Sequence, residues 1–281
     1  DADAIHQHLK SYPWENIIPN PGYFSITSNV QNDTINNSMF ANLRVKDAIV
    51  DRMREVRGNR PSTGAELIGA VINLFWKNDE AEIFIDTSGD SLARHGYRKI
   101  PGLAPMLEGL ASATIYATNW DRVSPFINPM CGSGTLAIEA ALIATNRAPG
   151  LFRNNYAFMH LLGYNEAVYK KEKTLLQEQI KTVANLKIIA TDLSAKAIEN
   201  AKKNAAAAGV ENLIHFAVCD FAATQVPQNK AGVMMVNPEY GERLGDEQEL
   251  EETYGRIGDF MKKECGGYFG YVFTGNLELA K

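Results

Sequence analysis

Long hydrophobic runs are missing from this chain of 281 residues. No window approaches the roughly eighteen uncharged apolar residues of a membrane span, and the N-terminus lacks the basic start and apolar middle of a signal peptide. These absences argue against membrane insertion and export, and the expected location is the cytoplasm. Cysteine is scarce as well: Cys131, Cys219 and Cys265 are odd in number, widely separated and outside metal-ligand spacing. That excludes a disulfide framework and a zinc site, so no metal is expected and the three read as packing residues. The histidines, His6, His8, His95, His160 and His215, form no spaced cluster. Positive charge is in deficit, 28 Lys and Arg against 33 Asp and Glu for a net −5, which argues against a surface that is a polyanion sponge all over.

One stretch runs the other way. Between Phe40 and Arg60 lie Arg44, Lys46, Arg52, Arg54, Arg57 and Arg60 against Asp47, Asp51 and Glu55. The pattern suits a solvated helix face with acids at four-residue spacing, and it equally suits a surface that faces nucleic acid.

The first part of the chain reads as a small α+β unit. PGYFSITSNV is extended, SMFANLRVKDAIVDRMREV is an amphipathic helix, AELIGAVINLFW is apolar and meets the KND turn, and AEIFIDTS alternates like a strand. From Arg94 to Pro105, RHGYRKIPGLAP gathers two glycines, two prolines and four basic side chains and predicts a linker. The domains are therefore expected at 1–93 and 106–281, with 94–105 between them. Arg94, Tyr97 and Arg98 would sit at that junction, where they could meet a nucleic-acid backbone or stay solvated.

Beyond the linker, helical and strand patterns alternate from MLEGLASATIYATNW to GYFGYVFTG, with an extra helix expected near Ala167 to Val183. Alternation of this kind predicts a parallel, doubly wound sheet. Such sheets keep their ligands at the carboxyl ends of the strands, so the residues that follow each strand carry the chemistry.

After the first strand comes NPMCGSGT, in which Gly132 and Gly134 let backbone approach a ligand and a helix opens at Thr135. Neither a full dinucleotide fingerprint nor a P-loop is present, so phosphate need not be the ligand, and a glycine pair here is also an ordinary tight turn. The second strand ends in Asp192, placed to accept from both hydroxyls of a ribose, although an acid there can equally cap the next helix. The third ends in Asp220-Phe221, a carboxylate and a ring suited to the amine and face of an adenine. Together the three describe a pocket for an adenosine whose tail crosses the glycine turn.

The fourth strand, Val233 to Val236, is followed by Asn237-Pro238-Glu239-Tyr240. The Asn237 side-chain oxygen and the Pro238 carbonyl can accept from an exocyclic base amine, and Tyr240 can stack on a base taken out of its stack. An aromatic amine is a weak nucleophile because its lone pair conjugates into the ring. Two acceptors on one NH2 favour its pyramidal form, so this site needs acceptors in place more than it needs a strong base. A strand-ending turn would use the same Asn and Pro for geometry alone.

In that order, CGSGT, TDLS, CDF and NPEYGERLG resemble the S-adenosylmethionine-dependent methyltransferases that act on nucleobase amines. More narrowly the chain is similar to the THUMP-domain RNA methyltransferases once grouped as N6-adenine-specific DNA methylases, the guanine-N2 methyltransferases of bacterial 23S ribosomal RNA among them. SLARHGYRK and GLAPMLEGLA fit the junction of that family. The resemblance implies a Rossmann-like class I methyltransferase domain of α/β fold behind a partial THUMP-like RNA-binding domain, and a catalytic domain incomplete at its C-terminus. It implies S-adenosylmethionine as cofactor, with Cys131, Gly132, Gly134 and Thr135 at the methionine end and Asn128 and Leu193 beside the pocket. Asp192 would hold the ribose, Asp220 and Phe221 the adenine, and Asn237, Pro238, Glu239 and Tyr240 the target base.

The implied substrate is large-subunit ribosomal RNA and the implied position N2 of guanine. Alternatives are N6 of adenine in DNA or RNA and an RNA-binding protein without activity. An NAD-dependent oxidoreductase is disfavoured by the missing third glycine. Where the family pattern reads Asn-Pro-Pro-Tyr this chain has Glu239, which could accept from N1–H and the amine of guanine, or could point to solvent.

Overall fold

A computed structural model of the chain describes residues 1–33, 35, 37–102, 105–239 and 247–279. The chain divides into two compact units, Asp1–Leu92 with Arg153–Glu172 and Ala93–Phe152 with Lys173–Lys281. No helix among the described residues is long and apolar enough to cross a membrane.

The first unit opens with α1 (Ala2–Ser11), whose N-terminus is capped by Asp1 accepting from the Ala4 amide at 2.8 Å. Strand β1 (Tyr23–Gln31) follows, then α2 (Ser38–Arg57), capped by Asn37 and stopped at Gly58, which is left-handed at φ 72°. Strands β2 (Ser62–Thr63), β3 (Ala70–Lys77) and β4 (Glu80–Asp86) complete a sheet of order β2-β1-β3-β4, parallel except for the β3–β4 hairpin. Helix α2 buries Ala41, Val45, Ala48, Ile49 and Met53, a single helical stripe. The stripe packs in one core with Phe24, Ile72, Leu74 and Trp76.

Most of the cations on α2 and just after it are already engaged inside this unit. Arg44 pairs with Asp3, Lys46 with Asp47 at 3.2 Å, and Arg52 donates to Glu15 through Nε at 3.0 Å. Arg57 donates to the carbonyls of Ile18 and Glu15. Arg54 and Arg60 form the exposed remainder. The local positive excess is therefore mostly structural.

Arg153–Glu172 lies with the first unit, outside the 1–93 boundary expected for it, because its backbone and side chains find partners there. The Phe158 amide donates to the Thr87 carbonyl at 3.1 Å and the Leu162 amide to Ile17 at 2.8 Å. Asn155 Nδ2 donates to Leu67 at 3.1 Å, and Tyr156 stacks on Phe158 with centroids 5.3 Å apart.

The second unit contains α3 (Glu108–Tyr116), β5 (Phe126–Asn128) and α4 (Thr135–Ala144). Helix α5 (Glu166–Glu178) crosses from the first unit into the second. Strand β6 (Ile188–Asp192), α6 (Ala195–Ala207), β7 (Ile214–Val218), β8 (Val233–Val236), α7 (Glu247–Glu264) and β9 (Phe269–Val272) follow. All five strands are parallel in the order β7-β6-β5-β8-β9, so the winding reverses between β5 and β8. A parallel sheet covered on both faces needs strands apolar on both sides, and β8 meets that with four buried residues.

The segment 94–105, expected as a linker, belongs to the second unit. Tyr97 is 1% exposed in the core of that unit, beside Ala111, Ile115 and Ala137, which removes it from the RNA-facing role its sequence position suggested.

Candidate functional site

Strand order reverses between β5 and β8, and the carboxyl ends of strands at such a reversal are where open α/β sheets keep their ligands; the described residues expected for the site lie at the carboxyl ends of β5, β6, β7 and β8 or just beyond them. Three successive left-handed positions shape the loop after β5: Met130 at φ 53°, Gly132 at φ 55° and Gly134 at φ 83°. Glycine at 134 is dictated by space as well, since a Cβ would lie 2.9 Å from the Ala201 Cβ on α6. Above Gly132 there is open room, nothing lying within 4 Å of an added Cβ. The loop thus lies tight against α6 at one glycine and bare at the other.

Asp192 is tied to that loop. Its Oδ2 accepts from the Gly132 amide at 2.9 Å and its Oδ1 from the Ser194 amide at 2.9 Å. Helix α6 is capped by Ser194, which accepts from Ala197 at 3.2 Å. Each Asp192 oxygen keeps a free lone pair for a hydroxyl donor, and Leu193 next to it is 75% exposed. Cys131 is buried, its thiol pushed far above the ordinary range chiefly by burial, and its amide donates to the Thr191 carbonyl at 2.9 Å. It is therefore a neutral packing group.

Asp220 and Phe221 are arranged differently from the sequence expectation. Arg256 on α7 donates through Nη2 to both oxygens of Asp220 at 2.8 Å and lies over the Phe221 ring, 4.8 Å from its centroid. That guanidinium, helped by the Ala222 amide, holds the Asp220 carboxyl below its ordinary range. Phe221 is buried, edge-on to Phe260, so the open aromatic face expected there is covered. Nothing in the sequence pointed to Arg256, because its partners lie some thirty-five residues away in a different element.

Asn128 is 1% exposed and donates through Nδ2 to the Met235 carbonyl at 3.0 Å, binding β5 to β8 where the winding reverses. Its Oδ1 is buried without a partner, and so is the Oδ1 of Asn237 beyond the end of β8. Orphaned atoms also occur away from the strand-order reversal, at Ser25 and Asn42. Location rather than orphan status singles out the two asparagines, since both sit where this sheet type keeps its ligands. Pro238 is buried and Glu239 exposed. Tyr240, expected as the stacking platform, lies outside the described residues.

Residues 95–281 match the family described as UPF0020, RMKL-like, methyltransferase domain, and residues 1–86 match the THUMP domain. The chain belongs to the RMKL-like methyltransferase family. It is 39% identical over 293 residues to the ribosomal RNA large subunit methyltransferase K/L of Syntrophotalea carbinolica, and it spans all of this chain but only 41% of that protein's length. Among solved structures it is similar to SMU.472, described as a methyltransferase and crystallised with SAH, at 28% identity and TM-score 0.87 over 99% of this chain and 73% of that one. It is also similar to a predicted N6-adenine-specific DNA methylase from Listeria monocytogenes, at 32% identity and TM-score 0.84 over 99% and 73%.

Proposed function

We propose that this RMKL-like chain is an S-adenosylmethionine-dependent methyltransferase that modifies an exocyclic base amine in ribosomal RNA, N2 of guanine in the large-subunit RNA. The observation that carries the reading is the buried, unpartnered Oδ1 of Asn237 past the end of β8, followed by a buried proline. Leaving an acceptor buried without a partner costs about 1–3 kcal/mol, a cost that an incoming amine would recover. The large-subunit RNA is supported by the relative named for it and by the THUMP domain at 1–86. Cytoplasmic location belongs to the same reading.

The glycine turn and Asp192 suit the cofactor. Open room above Gly132 admits its backbone-hugging tail, and Asp192, oriented by two amides, keeps lone pairs for the ribose hydroxyls. Leu193 is exposed beside them, and Cys131, Thr135 and Asn128 pack beneath the turn; at the adenine end Arg256 occupies Asp220 and covers Phe221, so the guanidinium must shift for those two to meet the base. When bound, S-adenosylmethionine supplies an electrophilic methyl group. The chain's own part is to accept hydrogen bonds from the amine through Asn237 Oδ1 and the Pro238 carbonyl, to stack the base on Tyr240, and to hold the amine in line. Glu239, exposed beside them, accepts from N1–H of guanine, which adenine does not offer.

The test of the base is nucleoside analysis of unmodified large-subunit RNA after incubation with the protein and labelled S-adenosylmethionine. Label in N2-methylguanine supports the reading. Label in N6-methyladenine would keep the chemistry and overturn the base.

A further inference from the structure

The glycine turn is bare toward solvent at Gly132, so whatever holds its shape must act from beneath. One helix does so with two residues a turn apart. Ala201 on α6 meets Gly134, and Asn204, three residues on, is 0% exposed and reaches Ser133 between the two glycines. Asn204 Nδ2 donates to the Ser133 carbonyl at 3.2 Å and to the Ile100 carbonyl at 2.9 Å. Its Oδ1 accepts from the amides of Lys99 at 2.9 Å and Ile100 at 3.0 Å. All four hydrogen-bonding positions of the primary amide are used, which is uncommon for a polar side chain in the interior of a helix, where asparagine is a poor helix former.

The segment that Asn204 grips is fastened at two more points. Arg98 donates through Nη2 to Thr135 Oγ1 at 2.9 Å, and His95 Nδ1 meets Glu139 Oε1 at 2.8 Å, both partners lying on the first turns of α4. Residues 95–102 therefore form a strap laid along the glycine turn and the helix that follows it. Outward-facing Gly96, Lys99, Pro101 and Gly102 are exposed, so the strap is held by these polar contacts and by Tyr97.

We propose that Asn204 is a positioning residue for cofactor binding, locking the strap and the Ser133 carbonyl into one frame so that the glycine turn is preorganised for its ligand. The inference rests on the reading that this turn holds S-adenosylmethionine. Preorganisation shows in affinity because a loosened turn must be ordered on binding.

Asn204→Asp tests it. The variant keeps an acceptor for the two amides and turns the other side chain atom into an oxygen facing two carbonyls. As a carboxylate that oxygen repels them; as an acid its O–H restores one donor. Burial raises the carboxyl's pKa. Among the described residues Lys203 on the same helix is paired with Glu199, Arg98 is paired with Glu108 at 3.6 Å, and the Lys99 side chain is exposed, so burial sets that direction.

Calorimetric titration with S-adenosylhomocysteine should give a nearly level affinity from pH 6 to pH 8.5 for the native protein. For Asn204→Asp, affinity should be about tenfold weaker at the alkaline end and recover toward the acid end. Hydrogen exchange at the Lys99 and Ile100 amides should be faster in the variant at the same alkaline pH, with the overall thermal transition retained. Arg98 Nη2 also donates to the Met106 carbonyl; Arg98→Lys, which loses this paired contact to Thr135 and Met106 but keeps the charge, should weaken binding several-fold at every pH and covers the case in which the aspartate variant fails to fold. Variants that expose those amides yet bind S-adenosylhomocysteine like the native chain would overturn the inference alone. A native protein that does not bind it at all would overturn the cofactor reading and this inference with it.

Discussion

Asn128 Oδ1 at the end of β5 and Asn237 Oδ1 just past the end of β8 are two amide oxygens buried without partners where the strand order reverses. If Asn237 accepts from the target amine as methyl transfer proceeds, Asn237→Ala should lower the transfer rate by on the order of a hundredfold, as loss of one preorganised hydrogen-bonding group does. S-adenosylhomocysteine affinity should stay within a few-fold, because the residues proposed for the cofactor follow other strands. A proportional loss of both would move Asn237 from the target base to the cofactor. Glu239→Pro restores the family's second proline, and it should reduce guanine methylation if the carboxylate reads N1–H; an unchanged rate would remove Glu239 from the site. The places of Asn237, Asp192 and the glycines at strand ends were legible in the sequence because each strand's end is written in its apolar run. Arg256 was out of its reach, since a guanidinium that spans Asp220 and Phe221 leaves no periodic trace. Asn204 left a faint one, as a single amide on the α6 face otherwise made of Ile198, Ala201 and Ala205.

Helix α4 carries a pH-dependent component of stability. Glu139 is almost fully buried beside His95, Tyr97 and Glu108, and burial chiefly raises its carboxyl above the ordinary range, the His95 hydrogen bond opposing it. A carboxyl whose folded pKa is raised binds its proton more tightly in the folded chain. Its contribution is therefore complete at acid pH and declines as pH rises from the unfolded carboxyl's value through the folded one. Denaturant midpoints across that window should fall for the native chain relative to Glu139→Gln, and parallel curves would contradict the assignment.

Helix α2 shows the opposite sign. Arg52 holds Glu15 at a pKa of about 2, so the Arg52–Glu15 contribution is present above the ordinary carboxyl range and is lost as pH falls toward that value. Arg52→Ala should lower the melting temperature at neutral pH and bring it closer to the native protein's in acid. The sequence revealed α2 as a helix but not the use of its arginines, because Asp3, Glu15 and Ile18 lie far away along the chain. Helix α1 was missed outright, although Asp1 as cap and Ile5 and Leu9 at helical spacing were its signals.

Across the whole chain, the alternation of helices and apolar strands was enough to predict the parallel second sheet, since each parallel strand there is a short run closed by a turn, whereas its strand order was not legible. The division between units was harder to read. Glycines and prolines at 94–105 imitate a linker, whereas Tyr97 and the partners of His95, Arg98 and the Lys99 and Ile100 backbone make that stretch part of the second unit. Arg153–Glu172 imitates an insert of the second domain, while its partners at Ile17, Leu67 and Thr87 lie in the first unit. Composition reports local flexibility, and neither segment's position is decided locally.

The most direct measurement is single-turnover transfer of labelled methyl from S-adenosylmethionine to unmodified large-subunit ribosomal RNA, run side by side with the native chain and with Asn237→Ala at saturating cofactor. Label in N2-methylguanine is expected for the native chain and its near-complete loss in the variant, with cofactor binding retained. Equal transfer by the two proteins, or cofactor binding by the native chain with no transfer to any base, would contradict that expectation.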